Sequence, residues 1–345
     1  MKSIEQHLVG SMRKPLVSVI INNYNYARFL KQAIDSALNQ THSLTEVVVV
    51  DDGSSDESRE IIANYGNGII PVLKENGGQA SALNAAVLAS RGEILCFLDS
   101  DDYFYPDKVA QVIEFFCAQG VNSKPIMLHH CVAVKNHVGD DLVGMICDRT
   151  HQSPMNLYNF AKRYKFLDYF AGPTTGISIN RTLADRLFPI PEKGVRVSAD
   201  DFLVYGSFLL ADVYSMDKRL SEYRVHSSNN WYHSNRQKTP EFRAVLDKYL
   251  NTKLIENGMM PVICFYDSMF AWLEFVEQRR WTKLALHMLK LSWKQHDLYT
   301  ARFGCETVLM TLRVFKKSLI QSFLVWRGVS SGAVGSTHTP PSEVR

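Results

Sequence analysis

Three aspartates in four residues, Asp99-Ser100-Asp101-Asp102, follow directly on the apolar run 94–98 of this chain. An apolar run of that length bounded by polar residues reads as a buried strand. Carboxylates gathered where a strand ends repel one another unless a positive group sits among them. A divalent cation that holds a diphosphate is the economical solution. Mg²⁺ or Mn²⁺ takes oxygen ligands and commonly uses one or two carboxylates plus substrate phosphates. The competing reading is a solvated turn or a helix cap, with Pro106 marking the next helix start. Two further acidic pairs stand out: Asp51-Asp52 after a run of four valines, and Asp200-Asp201 ahead of an apolar stretch.

These clusters depend on the elements that carry them. Residues 16–21, 47–50, 69–73 and 94–98 are short apolar, β-rich runs. Between them, Phe29, Leu30, Ala33, Ile34, Ala37 and Leu38 recur at helical spacing. Ser54 or Ser55 can cap a helix through Ile61 and Ile62, and residues 80–89 are Ala-rich. Strands alternating with helices predict a mostly parallel, Rossmann-like α/β sheet with helices on both faces. Ligands bind such sheets beyond the carboxyl ends of the strands. Those ends read Asn22-Asn23-Tyr24-Asn25, Asp51-Asp52-Gly53-Ser54, Glu75-Asn76-Gly77-Gly78 and Asp99-Ser100-Asp101-Asp102. Four successive strands deliver polar clusters to one rim. A purely structural sheet needs turn residues there, but not carboxylates on two strands.

Past residue 120 the pattern loosens. Residues 127–134 and 142–146 suggest a hairpin around 136–141. Gly172-Pro173-Thr174-Thr175-Gly176 is a turn-rich loop leading into a strand at 177–179. Asp200-Asp201 open a helix with Phe202, Leu203, Tyr205, Phe208 and Leu209 as its apolar face. A strand to Met216 and another over 219–225 follow. Helices are expected near 241–256, 261–279, 281–295 and 299–326. The expected organisation is a catalytic domain over 15–235, a helical C-terminal region over 240–327 and a disordered, Ser/Gly/Thr/Pro-rich tail over 328–345.

Composition narrows the function classes. The chain has 345 residues, is 46% hydrophobic and carries a net charge of +3 from 38 basic and 35 acidic residues. That balance, with no strong basic run, argues against a nucleic-acid partner. The six cysteines form neither a CxxC pair nor a metal-ligand spacing and read as reduced, buried residues of a cytoplasmic protein. Residues 1–14 are polar, so no signal peptide is expected. No apolar stretch is long enough to span a bilayer.

The motifs resemble family 2 glycosyltransferases. The resemblance rests on Ser18-Val19-Ile20-Ile21 with Tyr24-Asn25, then Val48-Val49-Val50-Asp51-Asp52-Gly53-Ser54-Ser55-Asp56. Asn76-Gly77-Gly78-Gln79-Ala80-Ser81-Ala82-Leu83-Asn84, Arg91-Gly92-Glu93 and Phe97-Leu98-Asp99-Ser100-Asp101-Asp102 continue it in order. Asp200-Asp201 resembles the family's downstream acidic pair, and Tyr223-Arg224-Val225-His226 its closing Tyr-Arg-x-His element. The likeness covers roughly residues 15–230. It implies a GT-A fold, a nucleotide-sugar donor, a divalent metal and transfer with inversion at the anomeric carbon.

The resemblance also implies roles. Asp51 and Asp52 would face the nucleotide base, with Asp52 accepting from a base N–H; Asp-Gly-Ser is equally good turn chemistry. Tyr24 and Asn25 would flank the base, or form a polar turn. Gly78 would allow close backbone approach, and Gln79 and Asn84 would reach ribose or phosphate; Asn84 can equally bond a neighbouring turn. Many members carry Arg where this chain has Leu83, which leaves phosphate charge to the metal or to Lys74. Asp101 would ligate the metal, with Asp99 on ribose or a metal-bound water and Ser100 beside them. Asp102 would cap the helix near Pro106. His226 would add a metal or diphosphate ligand, or be an ordinary hydrogen-bonded residue. Asp201 would be the general base, with Asp200 as the alternative; both can also be caps. Thr174-Thr175-Gly176 would line the acceptor side or be a plain loop. Trp231, Tyr232 and His233 would form a lid.

The expected activity is metal-assisted (Mn²⁺ or Mg²⁺) transfer from a UDP-type sugar donor to a glycan or lipid-linked acceptor hydroxyl, in polysaccharide biosynthesis. A catalytically silent nucleotide-sugar-binding scaffold of the same fold is the alternative. A nucleotidyltransferase would need a Gly-rich basic loop after the first strand, where Asn22 to Tyr26 stand instead. Residues 299–326 interleave basic and apolar side chains. They suit peripheral contact with the inner face of a membrane, or packing on the catalytic domain or on another subunit of a homo-oligomer.

Overall fold

A computed structural model describes residues 14–136, 153–164, 167, 172–227, 229 and 240–263. The chain divides into two compact units, Met1–Ser268 and Met269–Arg345. The described residues all lie in the first. The expected strand at 142–146, the Trp231-Tyr232-His233 lid, the helices after 263 and the tail fall outside them.

The first four strands form as the apolar runs predict. They are β1 (Val17–Asn23), β2 (Thr45–Asp52), β3 (Ile70–Lys74) and β4 (Ile94–Asp99), joined through α1 (Ala27–Leu38), α2 (Ser58–Ala63) and α3 (Gln79–Ala89). β1 pairs in parallel with β2 and β4, and β2 with β3. Alternate strand residues point to opposite faces, and both faces are covered. Ile20, Val48, Val50, Leu95 and Phe97 pack with α3 on one side. Val19, Ile21, Val47, Val49, Cys96 and Leu98 pack with α1 and α4 (Lys108–Gln119) on the other. That is why β1, β2 and β4 are apolar without alternation, whereas β3, at the sheet edge, leaves Leu73 exposed. Phe97 is fully buried, so Phe97→Ala would cost about 3–5 kcal/mol. On α3, the fully buried Ala82 and Ala86 keep the helix close to β1 and β2.

The remaining strands extend this sheet. They are β5 (Tyr103–Phe104), β6 (Ile126–Asn136), β7 (Ile177–Asn180) and β8 (Asp212–Val225). The sheet order is β3-β2-β1-β4-β7-β6-β8-β5. β7 runs antiparallel to β4 and β6, while β6 and β8 are parallel. Residues 126–136 thus pair with β7 and β8 rather than with a hairpin partner among the described residues. The two strands expected before and after Met216 are one strand. A register irregularity opposite Cys131 breaks its sequence pattern without ending it.

α5 (Tyr158–Tyr164), α6 (Arg181–Leu187), α7 (Asp200–Leu210) and α8 (Pro240–Glu256) complete the described elements. α8, at the start of the stretch read as a helical C-terminal region, packs within the first unit's core. Phe202 of α7 meets the rings of Phe242 and Tyr249 edge-on, at 5.5 and 5.2 Å. Among the described residues no helix is long and apolar enough to cross a membrane. Cys96 and Cys117 are free thiols, but Cys131 is disulfide-bonded. The expectation of six reduced cysteines therefore fails at Cys131. Pairing depends on spatial apposition, which spacing does not reveal.

Candidate active site

Parallel pairing brings the acidic strand ends to one level. Asn22 is in register with Asp99, and Asn23 with Asp51. Beyond β4 the chain turns tightly, with Asp102 N–H donating to Asp99 O at 3.0 Å. The buried 3-10 turn Thr174–Gly176 enters β7 beneath this loop. Asp99 N–H donates to Thr175 Oγ1 at 3.2 Å, and Thr174 hydrogen-bonds the Asp99 carboxyl. Asp102 is fully buried. It accepts from Thr175 Oγ1 at 2.5 Å and from Arg224 N–H at 2.9 Å. Asp102 is therefore not the helix cap expected near Pro106. Asp107 precedes α4, and Asp102 ties the acidic loop to β8. Thr174 and Thr175 are likewise buried donors to carboxylates rather than an exposed acceptor-side lining.

Asp101 keeps 13% of its side chain exposed and meets His226 Nε2 at 3.0 Å. Asn229 Nδ2 donates to the same oxygen at 3.2 Å. Tyr26 packs edge-on to His226 at 5.6 Å, and Phe29 lies 4.6 Å from the same ring. Ser100 is buried within the loop.

The electrostatics are those of crowded acids. Burial, then the charges of Asp101 and Asp200, pushes the Asp99 carboxyl well above the usual range. Burial, then Asp101 and Asp99, does the same to Asp102. The Tyr26 hydroxyl is raised by burial and then by Asp101, Asp99 and Asp102. A cation would relieve this repulsion, and carboxylate oxygens suit Mn²⁺ or Mg²⁺. Among the described residues no group of three or more His, Cys, Asp or Glu is arranged to hold a metal. The donor set fits an ion held by one or two carboxylates and completed by phosphates, not a closed protein cage.

At the β2 end, Asp51 accepts from Arg59 Nε at 2.8 Å, and from Ser54 N–H and Asn23 Nδ2 at 3.1 Å each. Burial pushes its carboxyl up, but these hydrogen bonds win and hold it below the usual range. Asp52 accepts from Gly78 N–H and Lys74 Nζ at 2.7 Å each, and from Gly77 N–H at 2.9 Å. Lys74, expected as a phosphate counter-charge, is thus paired with Asp52, while Leu83 is core. Asn25 sits in the left-handed region, φ 58°, and its Oδ1 accepts from Ser55 N–H at 2.8 Å. Tyr24 is 48% exposed.

Gln79 and Asn84 both bond the segment ahead of α7, which for Asn84 is the expected alternative of a bond to a neighbouring turn. Gln79 Oε1 accepts from Ala199 N–H at 3.0 Å. Asn84 bonds both sides of Ile190, accepting from its N–H and donating to its C=O at 2.8 Å each. Asp200 and Asp201 occupy the first turn of α7. Asp200's charge reaches Asp99, so the acidic pair and the acidic loop share one locality. Tyr26, Asn229 and Arg59 lie against these acids and are missed by motif reading, while Thr175, expected on the acceptor side, instead holds Asp99 and Asp102. The only sequence signal for any of them was the turn-rich run at 172–176.

Residues 18–137 match the family model for Glycosyl transferase family 2. An uncharacterised glycosyltransferase of Nostoc sp. is 34% identical over 218 residues, covering 62% of this chain and 66% of that protein. The hyaluronan synthase of Pasteurella multocida is 46% identical over 107 residues, 30% of this chain and 11% of the synthase. TarS of S. aureus in complex with UDP has a similar fold, with a TM-score of 0.51 at 22% identity over 70% of this chain and 65% of that one. The fold is thus the mixed α/β, mostly parallel GT-A type. The chain belongs to glycosyl transferase family 2, and it spans 66% of the Nostoc protein's length and about a tenth of the synthase's.

Proposed function

We propose that the chain is an inverting glycosyltransferase, moving a sugar from a UDP-type nucleotide donor to a hydroxyl of a glycan or lipid-linked acceptor. The observation that carries this reading is the bonded path from Asp52 through Gly77, Gly78 and Gln79 to Ala199, which directly precedes Asp200 and Asp201. It joins an acidic strand end to an acidic helix start across a long stretch of sequence. The names of the relatives and the UDP bound in the TarS complex support the same reading.

In this reading Tyr24, Asn25, Asp51 and Asp52 form the nucleotide end, and Tyr24 offers an exposed ring for stacking on a base. Asp101 and Asp99, with His226 and Ser100 beside them, form the diphosphate end and would hold Mn²⁺ or Mg²⁺. When bound, the ion would neutralise the departing nucleoside diphosphate as a Lewis acid. Asp200 lies near enough to that end for its charge to raise the Asp99 carboxyl. Asp201, one residue on, takes the proton of the acceptor hydroxyl as it attacks the anomeric carbon. The hydroxyl oxygen forms the new glycosidic bond while the carbon–diphosphate oxygen bond breaks on the opposite face, which inverts the configuration. The amino end of α7 favours the ionised carboxylates this requires.

The test is donor turnover with Mn²⁺, with and without an acceptor glycan. Asp201→Asn should lower the rate by about 10²–10⁴-fold, the usual contribution of a general base, and Asp200→Asn should show whether the pair shares the role. Equal rates in wild type and both variants would point to a silent binding protein.

A further inference from the structure

We propose that Gln79 is a positioning residue that holds Asp200 and Asp201 in register with the nucleotide end of the site. The inference rests on the transferase reading above. Gln79 grips the segment before α7 from two sides. Its backbone N–H donates to Arg196 O at 3.0 Å. Its side-chain oxygen accepts from Ala199 N–H at 3.0 Å, and Ala199 directly precedes Asp200. The two residues before Gln79 grip the other end of the site, where Gly77 and Gly78 N–H both donate to the Asp52 carboxylate. One tripeptide therefore touches both the nucleotide-end acid and the start of the catalytic helix.

The chains must approach closely for this. Gly78 has φ +91°, and a Cβ there would lie 2.7 Å from Arg196 Cα. Any other residue would push the segment away. Arg196 closes the contact by donating to Asn76 Oδ1. Asn84, further along α3, anchors the other end of the same segment at Ile190 and donates to Glu192 at 3.1 Å. Hydrogen bonds from Asn84 and Ser81 hold the Glu192 carboxyl below its usual range. Between these anchors Ser198 adopts φ +60°, a conformation a non-glycine residue keeps only where its surroundings impose it. α3 acts as a splint for residues 190–199, and Gln79 sets the end that carries the acids.

Gln79→Met keeps the side-chain length and removes the acceptor; Gln79→Glu keeps an acceptor oxygen. A displacement of about 1 Å can cost about 10²-fold in rate. Gln79→Met should therefore lower kcat for donor turnover by about 10–100-fold, with the affinity for UDP plus Mn²⁺ held within about 2-fold. Gln79→Glu should recover most of the rate. Amide exchange at Ala199 should be faster in Gln79→Met than in wild type. Weakened UDP binding with kcat intact would make Gln79 a donor contact and overturn the inference, as would unchanged exchange at Ala199. Both outcomes leave the transferase reading standing. A wild-type protein that turns over no nucleotide sugar would overturn that reading, and this inference with it.

Discussion

The hydroxyl of Thr175 donates to the carboxylate of Asp102 at 2.5 Å, and its oxygen accepts from Asp99 N–H at 3.2 Å. One buried threonine thus fixes both flanks of the acidic loop and leaves Asp101 between them to meet His226 and Asn229. Thr175→Val keeps the shape and removes the donor, leaving Asp102 with one fewer hydrogen bond in a buried setting. The expected loss is about 1–3 kcal/mol, read as a lower urea midpoint, and Thr175→Ser should restore most of it.

Asp99 carries a destabilising charge in the metal-free protein. Its carboxyl lies above the usual range when folded, through burial and the charges of Asp101 and Asp200. The fold is therefore weakened as pH rises through the ordinary carboxylate value and stays weakened above the raised one. Asp99→Asn should raise the metal-free Tm at neutral pH, and the gap should close near pH 4. The same substitution should abolish any Tm increase that Mn²⁺ gives the wild type.

Lys108 is a buried cation under the same loop. Its Nζ donates to Thr175 O at 3.2 Å and lies 3.5 Å from the centre of the Phe104 ring. Burial lowers its pKa to about 8, so the unfolded chain binds more protons between that value and the ordinary lysine range. Wild-type stability should gain over that window, while Lys108→Met lacks the titration. The difference in Tm, variant minus wild type, should be constant below about pH 8 and shift towards the wild type by pH 10.

Arg91-Gly92-Glu93 acts structurally through Glu46. Ser18 Oγ and Arg91 N–H each donate to Glu46 at 2.6 Å, and the Arg91 guanidinium adds bonds at 3.0 and 2.9 Å. Burial pushes this carboxyl up, but the Ser18 and Arg91 hydrogen bonds outweigh it and hold it below its usual value. Stability from a lowered carboxyl is present above the unfolded pKa and lost as pH falls through the folded one. Glu46→Gln should cost about 1–3 kcal/mol at pH 7 and little at pH 3, measured by denaturant unfolding.

The half of the sheet built from β1 to β4 was legible because each strand is a continuous apolar run ending in polar residues. Parallel pairing then brings Asn22, Asp51 and Asp99 to one edge. What escaped sequence reading depends on distant partners. Asp102 is held by Arg224, 122 residues away, and Gln79 and Asn84 by backbone groups more than 100 residues on. No local pattern encodes those contacts, so Asp102 read as a helix cap and Gln79 and Asn84 as ribose or phosphate contacts, with only the turn-bonding alternative for Asn84 pointing the right way. β8 read as two strands because its register irregularity at 217–218 interrupts the alternation without ending the ladder.

A thermal-shift titration of UDP against the full chain, with Mn²⁺ or with chelator, in wild type and Asp101→Asn, probes the diphosphate site most directly. A UDP-induced rise in Tm that needs Mn²⁺ and disappears in Asp101→Asn is the predicted result. A rise that persists in chelator, or that Asp101→Asn leaves unchanged, would contradict a diphosphate site built on this loop.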